Sequence, residues 1–120
     1  MGKILVVDDC NTTRRLLAKT LSGIDLDVTT VSDGAQALSL AKEEKFDLVV
    51  TDVNMPDMGG MELTAELRSL EGYEATPILM LTSDSSQSEK QKGRDAGATG
   101  WLVKPFNPTN LRETITTLLK

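Results

Sequence analysis

The stretch ILVVDD, residues 4–9, predicts a buried strand with an acidic end. Its four apolar residues lack the alternation of a half-solvated strand, a pattern typical of parallel sheets that helices cover on both faces. Similar runs rich in β-branched and aliphatic residues recur along the chain. The five predicted strands are Lys3–Val7, Val28–Val31, Leu48–Thr51, Ile78–Leu81 and Trp101–Val103.

Amphipathic segments of helical length separate the predicted strands. The residues expected to form their buried faces are Leu16, Leu17 and Leu21 in the first, Ala37, Leu38 and Ala41 in the second, Leu63, Leu67 and Leu70 in the third, and Leu111, Ile115, Leu118 and Leu119 in the last. The fourth segment, 86–96, is polar all round and contains Gly93, so we expect a weakly docked, mobile helix there.

Five strands alternating with five helices predict an α/β fold of the (βα)5 type, with helices on both faces of an open parallel sheet. We expect residues 1–120 to form one domain, because the chain shows no linker, repeat or low-complexity tract.

Composition excludes several classes of function. The chain has no histidine, which rules out a Ser-His-Asp triad, a Cys-His pair and histidine-ligated zinc. Eighteen acidic residues against thirteen basic ones give a net charge of −5, which argues against a nucleic-acid or anionic-membrane partner. With one cysteine, Cys10, and no apolar run long enough to cross a bilayer, the chain is expected in the cytoplasm.

Polar residues follow the predicted strands at the edge where an open α/β sheet binds ligands. They are Asp8 and Asp9 after the first strand, Asp52 after the third, Thr82 and Ser83 after the fourth, and Lys104 after the fifth. Taken singly, the acids and hydroxyls could be helix caps or turn residues, and the lysine could be solvated. Taken together, carboxylates without histidine or cysteine favour Mg²⁺, and the added lysine and hydroxyl favour a phosphoryl group.

These residues resemble a known family. The pair Asp8-Asp9, the segment DVNMPDMGG from Asp52, the pair Thr82-Ser83 and the segment GWLVKPF at 100–106 match, in order, the receiver domain of two-component response regulators. The resemblance implies strand order 2-1-3-4-5. It also implies that Asp52 is the phosphoacceptor for a phosphoryl group from a partner histidine kinase, and that Lys104 and Thr82 contact that group. The implied Mg²⁺ ligands are the side chains of Asp8, Asp9 and Asp52 and the backbone carbonyl of Asn54.

The resemblance further implies a conformational switch through Thr82 and Trp101. The switch would alter the face made by the fourth helix, fifth strand and fifth helix, where a target binds. Asn54 and Asp84 would tune how water reaches the acyl phosphate, and the Lys104–Pro105 peptide would be cis. Among receivers, the chain resembles the stand-alone chemotaxis regulators, which implies a monomer acting on a target such as the flagellar motor switch.

Three alternatives stay open at this stage. A phosphorelay shuttle would pass the phosphoryl group to a histidine phosphotransfer protein. A small-molecule Mg²⁺-dependent phosphotransfer enzyme would also use an aspartate nucleophile, although the sequence has no insertion to enclose a substrate. A flavodoxin-like cofactor binder would share the fold, although two acids after the first strand would repel a flavin phosphate. As a receiver, the chain would be a signalling protein that catalyses only its own phosphorylation and dephosphorylation.

Overall fold

The computed structural model describes residues 2–22, 26–55, 57–83, 86–104 and 106–119. Strands and helices alternate along the chain, as the sequence predicts. The elements are β1 (Gly2–Val7), α1 (Asn11–Leu21), β2 (Leu26–Val31), α2 (Gly34–Glu43), β3 (Leu48–Asp52), α3 (Gly60–Arg68), β4 (Ile78–Thr82), α4 (Gln87–Ala96), β5 (Gly100–Val103) and α5 (Pro108–Leu118). Asp84 and Pro105, which carried two of the predictions above, lie outside the described residues.

The five strands form one parallel sheet in the order β2-β1-β3-β4-β5. The predicted (βα)5 fold and its 2-1-3-4-5 order are therefore confirmed. Because β1 lies between β2 and β3, the strand order reverses at β1 and β3, which is where such sheets bind ligands.

Two hydrophobic clusters cover the two faces of the sheet, as a doubly wound fold requires. One packs α1 and α5 against the sheet through Leu17, Leu21, Leu111 and Ile115. The other packs α2 and α3 through residues that include Ala37, Ala41, Leu63 and Leu67. The strands β3 and β4 are buried along their whole length, which confirms the prediction made from their unbroken apolar pattern.

One residue of the predicted core is misplaced. Leu16 is 47% exposed, whereas Leu17 and Leu21 are fully buried. Leu16 was assigned to the same face as Leu17, but adjacent residues on a helix point about 100° apart, and Leu17 and Leu21 already form the contact with the sheet. The prediction for Leu16 was wrong.

The fourth helix is as polar as its sequence indicates. Gly93 is its only buried residue among those described. The Ser86 side chain accepts a hydrogen bond from the backbone N–H of Glu89 and so caps the helix. Within the described residues, no helix is long and apolar enough to cross a membrane.

Candidate functional site

Three carboxylates meet where β1 and β3 end. Asp8 and Asp9 follow β1, and Asp52 is the last residue of β3, whose Thr51 pairs with Val7 of β1. One oxygen from each of the three carboxylates lies within 4.8 Å of the others. Asp8 and Asp52 are buried and Asp9 is exposed, so the cluster is open to solvent on one side. The structure therefore brings these three acids together, as the sequence predicts.

Asp8 is held in place through all of its polar atoms. Its carboxylate accepts hydrogen bonds from the backbone N–H of Cys10, at 2.8 Å, and from Lys104 Nζ, at 3.3 Å. Its backbone N–H donates to the carbonyl of Val31, and its own carbonyl accepts from Arg14 Nη1 at 2.5 Å. The side chain of Asp8 is fully buried, so these contacts fix its direction.

Lys104 bridges the two buried acids. Its Nζ lies 3.1 Å from Asp52 Oδ1 and 3.3 Å from Asp8 Oδ2. Burial lowers the pKa of Lys104, but attraction to Asp52 and Asp8 outweighs it, and the net pKa is raised above its ordinary value. The lysine is therefore a permanent positive charge in the site at neutral pH, rather than the solvated side chain that was its alternative interpretation.

Asp52 has an unfavourable environment for a charged carboxylate. Burial is the largest influence and raises its pKa, Lys104 lowers it, and the neighbouring charges of Asp8 and Asp9 raise it again. The net result is a raised pKa, because one lysine does not compensate for burial beside two further acids. An additional cation at this position would relieve that imbalance.

Thr82 and Trp101 lie on the adjoining strands. Thr82 ends β4, is 2% exposed, and pairs with Val103 of β5. Its carbonyl accepts the backbone N–H of Lys104 at 2.8 Å, which joins the end of β4 to the lysine. Trp101 is half-buried two residues before Val103. Both predicted switch residues are thus connected to the site through β5.

The start of α3 packs closely against the backbone of Asp52 and Val53. A methyl group added at Gly60 would lie 2.3 Å from the Asp52 carbonyl oxygen, and one added at Gly59 would lie 2.9 Å from the Val53 carbonyl oxygen. Side chains at these positions would push α3 away from β3. In the loop between β3 and α3, Asn54 is exposed and lies two residues beyond Asp52.

Sequence reasoning missed several residues that shape this site. Gly59 and Gly60 entered the sequence analysis only as part of the segment DVNMPDMGG, because their close approach to the backbone at Asp52 and Val53 depends on tertiary structure. Arg14 gave no sequence signal, because it contacts a backbone carbonyl that any residue would supply. One feature of the sequence could have indicated the role of Gly59 and Gly60. Two adjacent glycines stand at the start of α3, where most helices accept a residue with a side chain.

The alternative interpretation of these polar residues as helix caps is wrong. The N-cap position of α1 is Cys10, which is exposed and makes no side-chain capping bond. Ser86, rather than Thr82 or Ser83, caps α4. Side-chain capping of α1 and α4 therefore does not explain Asp8, Asp9, Thr82 or Ser83.

The donor set fits a hard divalent cation. The cluster offers carboxylate oxygens alone, and neither histidine nor cysteine contributes a ligand atom to it. Oxygen-only sites are typical of Mg²⁺ and Ca²⁺, and a site that leaves positions open for water or phosphate is typical of Mg²⁺. The raised pKa of Asp52 indicates the same need for positive charge.

Comparisons with known proteins agree along nearly the whole chain. Residues 4–116 match the family described as the response regulator receiver domain. The chain is 38% identical over 119 residues to a chemotaxis protein CheY homolog of Campylobacter jejuni, covering 98% of this chain and 92% of that protein. The solved structure of the Vibrio cholerae chemotaxis protein CheY4 superposes with a TM-score of 0.95 at 45% identity, covering 99% of each chain.

A further solved structure bears on the acidic cluster. It is the receiver domain of a sensor histidine kinase from Pseudomonas aeruginosa, with a magnesium ion coordinated in its active site cleft. It superposes with a TM-score of 0.91 at 28% identity, covering 98% of this chain and 97% of that one.

Proposed function

This chain belongs to the response regulator receiver domain family, and from that premise we propose that Asp52 accepts a phosphoryl group and thereby switches the surface on which a target binds. Receiver domains act in two-component signalling and are not enzymes in the ordinary sense. The observation that carries the proposal is the meeting of three carboxylates within 4.8 Å, with Lys104 Nζ only 3.1 Å from Asp52 Oδ1.

The proposed chemistry begins at the Asp52 carboxylate. One of its oxygens attacks the phosphorus of a phosphohistidine, a P–O bond forms, the P–N bond breaks, and the electron pair returns to the imidazole. The donor is another molecule, because this chain has no histidine. A histidine kinase is the donor that the family indicates. Lys104 lowers the pKa of Asp52 and so opposes the effect of burial, which favours the nucleophilic carboxylate form.

Mg²⁺ would be held by the side chains of Asp9 and Asp52 and the backbone carbonyl of Asn54, with Asp8 contributing directly or through water. When bound, the metal neutralises negative charge on the acids and on the incoming phosphoryl oxygens. Lys104 would pair with one phosphoryl oxygen, and the Thr82 hydroxyl would donate a hydrogen bond to another. The magnesium ion in the Pseudomonas aeruginosa receiver supports this assignment.

Thr82 and Trp101 would carry the change outward to the face formed by α4, β5 and α5. We propose that the target-binding surface lies there and that the protein acts as a monomer in the cytoplasm. The similarity to chemotaxis proteins favours a chemotaxis role, with the flagellar motor switch as the target. Asn54 and Asp84 would orient water for hydrolysis of the acyl phosphate, which gives a short-lived signal, and a cis Lys104–Pro105 peptide would aim the lysine.

Phosphoryl incorporation from acetyl phosphate tests the proposal. We expect the intact mass of the protein to increase by one phosphoryl group in Mg²⁺ and to stay unchanged in EDTA. Asp52→Asn should abolish incorporation. Asp57→Asn is the matched control, because Asp57 is an exposed acid in the same loop and its positive φ suits asparagine. Incorporation that persists in Asp52→Asn would refute the assignment of the phosphoacceptor.

Capture experiments identify the target. The immobilised protein is incubated with a cell extract with and without beryllofluoride, a phosphoryl analogue, and captured proteins are identified by mass spectrometry. A motor switch protein captured only with beryllofluoride would support the chemotaxis role. A histidine phosphotransfer protein captured in its place would indicate a phosphorelay shuttle.

A further inference from the structure

Asp9 is the exposed member of the acidic cluster, and its backbone decides where its side chain can reach. Within the described residues, no hydrogen bond or salt bridge holds its carboxylate, whereas Asp8 and Asp52 both contact Lys104. An exposed carboxylate without a partner can adopt several rotamers. Whatever fixes the peptide unit before Asp9 therefore limits the directions in which this acid projects.

The peptide unit between Asp8 and Asp9 is held by Arg14. Arg14 Nη1 donates to the Asp8 carbonyl oxygen at 2.5 Å. Because the peptide bond is planar, an anchored carbonyl oxygen also orients the N–H and the Cα of Asp9. The Asp8 side is anchored as well, since its N–H donates to the carbonyl of Val31 and its carboxylate accepts the N–H of Cys10. The guanidinium thus completes the fixation of the backbone that carries Asp9.

The guanidinium of Arg14 is itself oriented by a neighbour on the same helix. Its Nη2 donates to Asn11 Oδ1 at 3.2 Å, and Asn11 is the first residue of α1. The backbone N–H of Arg14 donates to the carbonyl of Cys10 at 3.0 Å, and the side chain is half-buried. Because a planar guanidinium donates in a fixed geometry, bonds from two of its nitrogens leave it little freedom.

The charge of Arg14 and its hydrogen bonds have opposite effects on a metal site. A cation close to the acidic cluster repels Mg²⁺. A hydrogen bond that holds the backbone of a metal ligand favours metal binding, because less of the site must be ordered when the metal arrives. Removal of Arg14 therefore strengthens Mg²⁺ binding if its charge dominates, and weakens Mg²⁺ binding if its positioning effect dominates.

We propose that Arg14 is a positioning residue for Mg²⁺ binding. It holds the Asp8 carbonyl, with Asn11 orienting its guanidinium, and thereby fixes the backbone from which Asp9 reaches the metal. Arg14 touches neither the metal nor the phosphoryl group. The inference rests on the proposed function, because the cluster of Asp8, Asp9 and Asp52 is where Mg²⁺ is proposed to bind. Groups that orient metal ligands typically contribute about 10- to 100-fold in affinity.

Arg14→Met and Arg15→Met separate positioning from charge. Both variants lose one positive charge, but Arg15 is exposed and makes no hydrogen bond or salt bridge to the rest of the described chain. Titration of the full-length protein with Mg²⁺, followed in two-dimensional amide NMR spectra, measures the affinity and shows whether each variant is folded. We expect Arg14→Met to bind Mg²⁺ about tenfold more weakly than the wild type, and Arg15→Met to bind it equally or up to about twofold more tightly.

The outcomes of this titration separate the inference from the proposed function. If the wild type binds Mg²⁺ and Arg14→Met binds it as tightly as Arg15→Met, the inference is overturned and the proposed function stands. If the wild type does not bind Mg²⁺, the proposed metal site and the role of Arg14 are both refuted.

Asn11→Ala removes a hydrogen bond without removing a charge. We expect Mg²⁺ to bind about threefold more weakly, because the Arg14 guanidinium loses the acceptor that orients it. Thr12→Ala, a change at an exposed position in the same turn, is the control and should keep the wild-type affinity. Equal affinities in these two variants would contradict the role of Asn11. Because Asn11 is exposed, its variant should fold even if Arg14→Met does not.

Phosphoryl incorporation from acetyl phosphate gives a second readout. In Arg14→Met, the Mg²⁺ concentration that gives half of the maximal rate should rise about tenfold. The rate at saturating Mg²⁺ should stay within about threefold of the wild type, because Asp52 and Lys104 keep their contact. A lower saturating rate with an unchanged Mg²⁺ requirement would mean that Arg14 acts on the phosphoacceptor, and would overturn the inference.

Discussion

The two ends of the parallel sheet both bury polar side chains, but they give those side chains different partners. At the amino ends of the strands, the hydroxyl of Tyr73 accepts the backbone N–H of Phe46 and lies 3.0 and 2.8 Å from the carbonyl oxygens of Ala41 and Glu44. Arg68 donates to the carbonyls of Gly97, Tyr73 and Thr76. The hydrogen-bond partners of these side chains are therefore neutral main-chain groups.

At the carboxyl ends, acidic side chains and a lysine face one another. Asp8, Asp9 and Asp52 share the single nearby lysine, Lys104, among the described residues. The amino end is therefore complete without a ligand and serves stability, while the carboxyl end keeps excess negative charge that a cation would balance. The difference separates the part of the molecule that holds the fold from the part where we propose that phosphoryl transfer takes place.

The largest effect is expected at the amino end, from Arg68→Met. The substitution leaves three backbone carbonyls without their donor, and we expect the free energy of unfolding to fall by about 3 kcal/mol. Urea denaturation measures the change. Arg112→Met is the control, because Arg112 is exposed on α5, and it should cost less than about 0.5 kcal/mol. Equal losses in the two variants would contradict the role given to Arg68.

Tyr73→Phe should lower the free energy of unfolding by about 2 kcal/mol, because it removes the hydroxyl and leaves the Phe46 N–H without its acceptor in a buried position. Phosphoryl incorporation at Asp52 should keep its wild-type rate, since Tyr73 lies at the opposite end of the sheet. A strong loss of incorporation in the folded variant would show that the two ends are not separate in function.

At the carboxyl end, the expected change in the free energy of unfolding has the opposite sign. Asp52→Asn removes a charge whose raised pKa shows that the folded chain disfavours it, so without a divalent cation the variant should be more stable than the wild type at pH 7. We expect a gain of about 1 kcal/mol, or about 4 °C in melting temperature. Calorimetry in EDTA measures it, and a loss of stability would contradict the account.

The pH dependence of that gain follows from the same carboxyl group. Below its ordinary pKa of 3.8, Asp52 is protonated in the folded and unfolded chains, and the two proteins should be equally stable at this position. As pH rises through the raised pKa of the folded chain, the wild type loses stability relative to Asp52→Asn. Added Mg²⁺ should raise the stability of the wild type and raise that of Asp52→Asn less.

The smallest effect is expected from Lys45→Met, back at the amino end. Lys45 Nζ lies 4.2 Å from the centre of the Tyr73 ring and 2.8 Å from Thr76 Oγ1, but the side chain is exposed. We expect a loss of about 0.5 kcal/mol by urea denaturation. A loss as large as that of Tyr73→Phe would mean that charge, rather than main-chain hydrogen bonding, holds this end together.

The two ends also differ in how far the sequence predicts them. Asp8, Asp52 and Lys104 could be predicted as one site, because each follows a strand and parallel strands end at the same edge. Arg68 and Tyr73 could not, because their partners are backbone carbonyls, which every residue carries. The helix propensity of Gly93 indicated only a weak helix, while its packing on Trp101 depends on how α4 meets β5.

The position of the phosphoryl group in the chain tests the central claim most directly. The protein is phosphorylated with acetyl phosphate in Mg²⁺, reduced with borohydride, which converts an aspartyl phosphate to homoserine, and digested for tandem mass spectrometry. The account predicts homoserine at position 52 and nowhere else. Homoserine at position 8 or 9, or none at all under conditions in which the protein is folded, would contradict it.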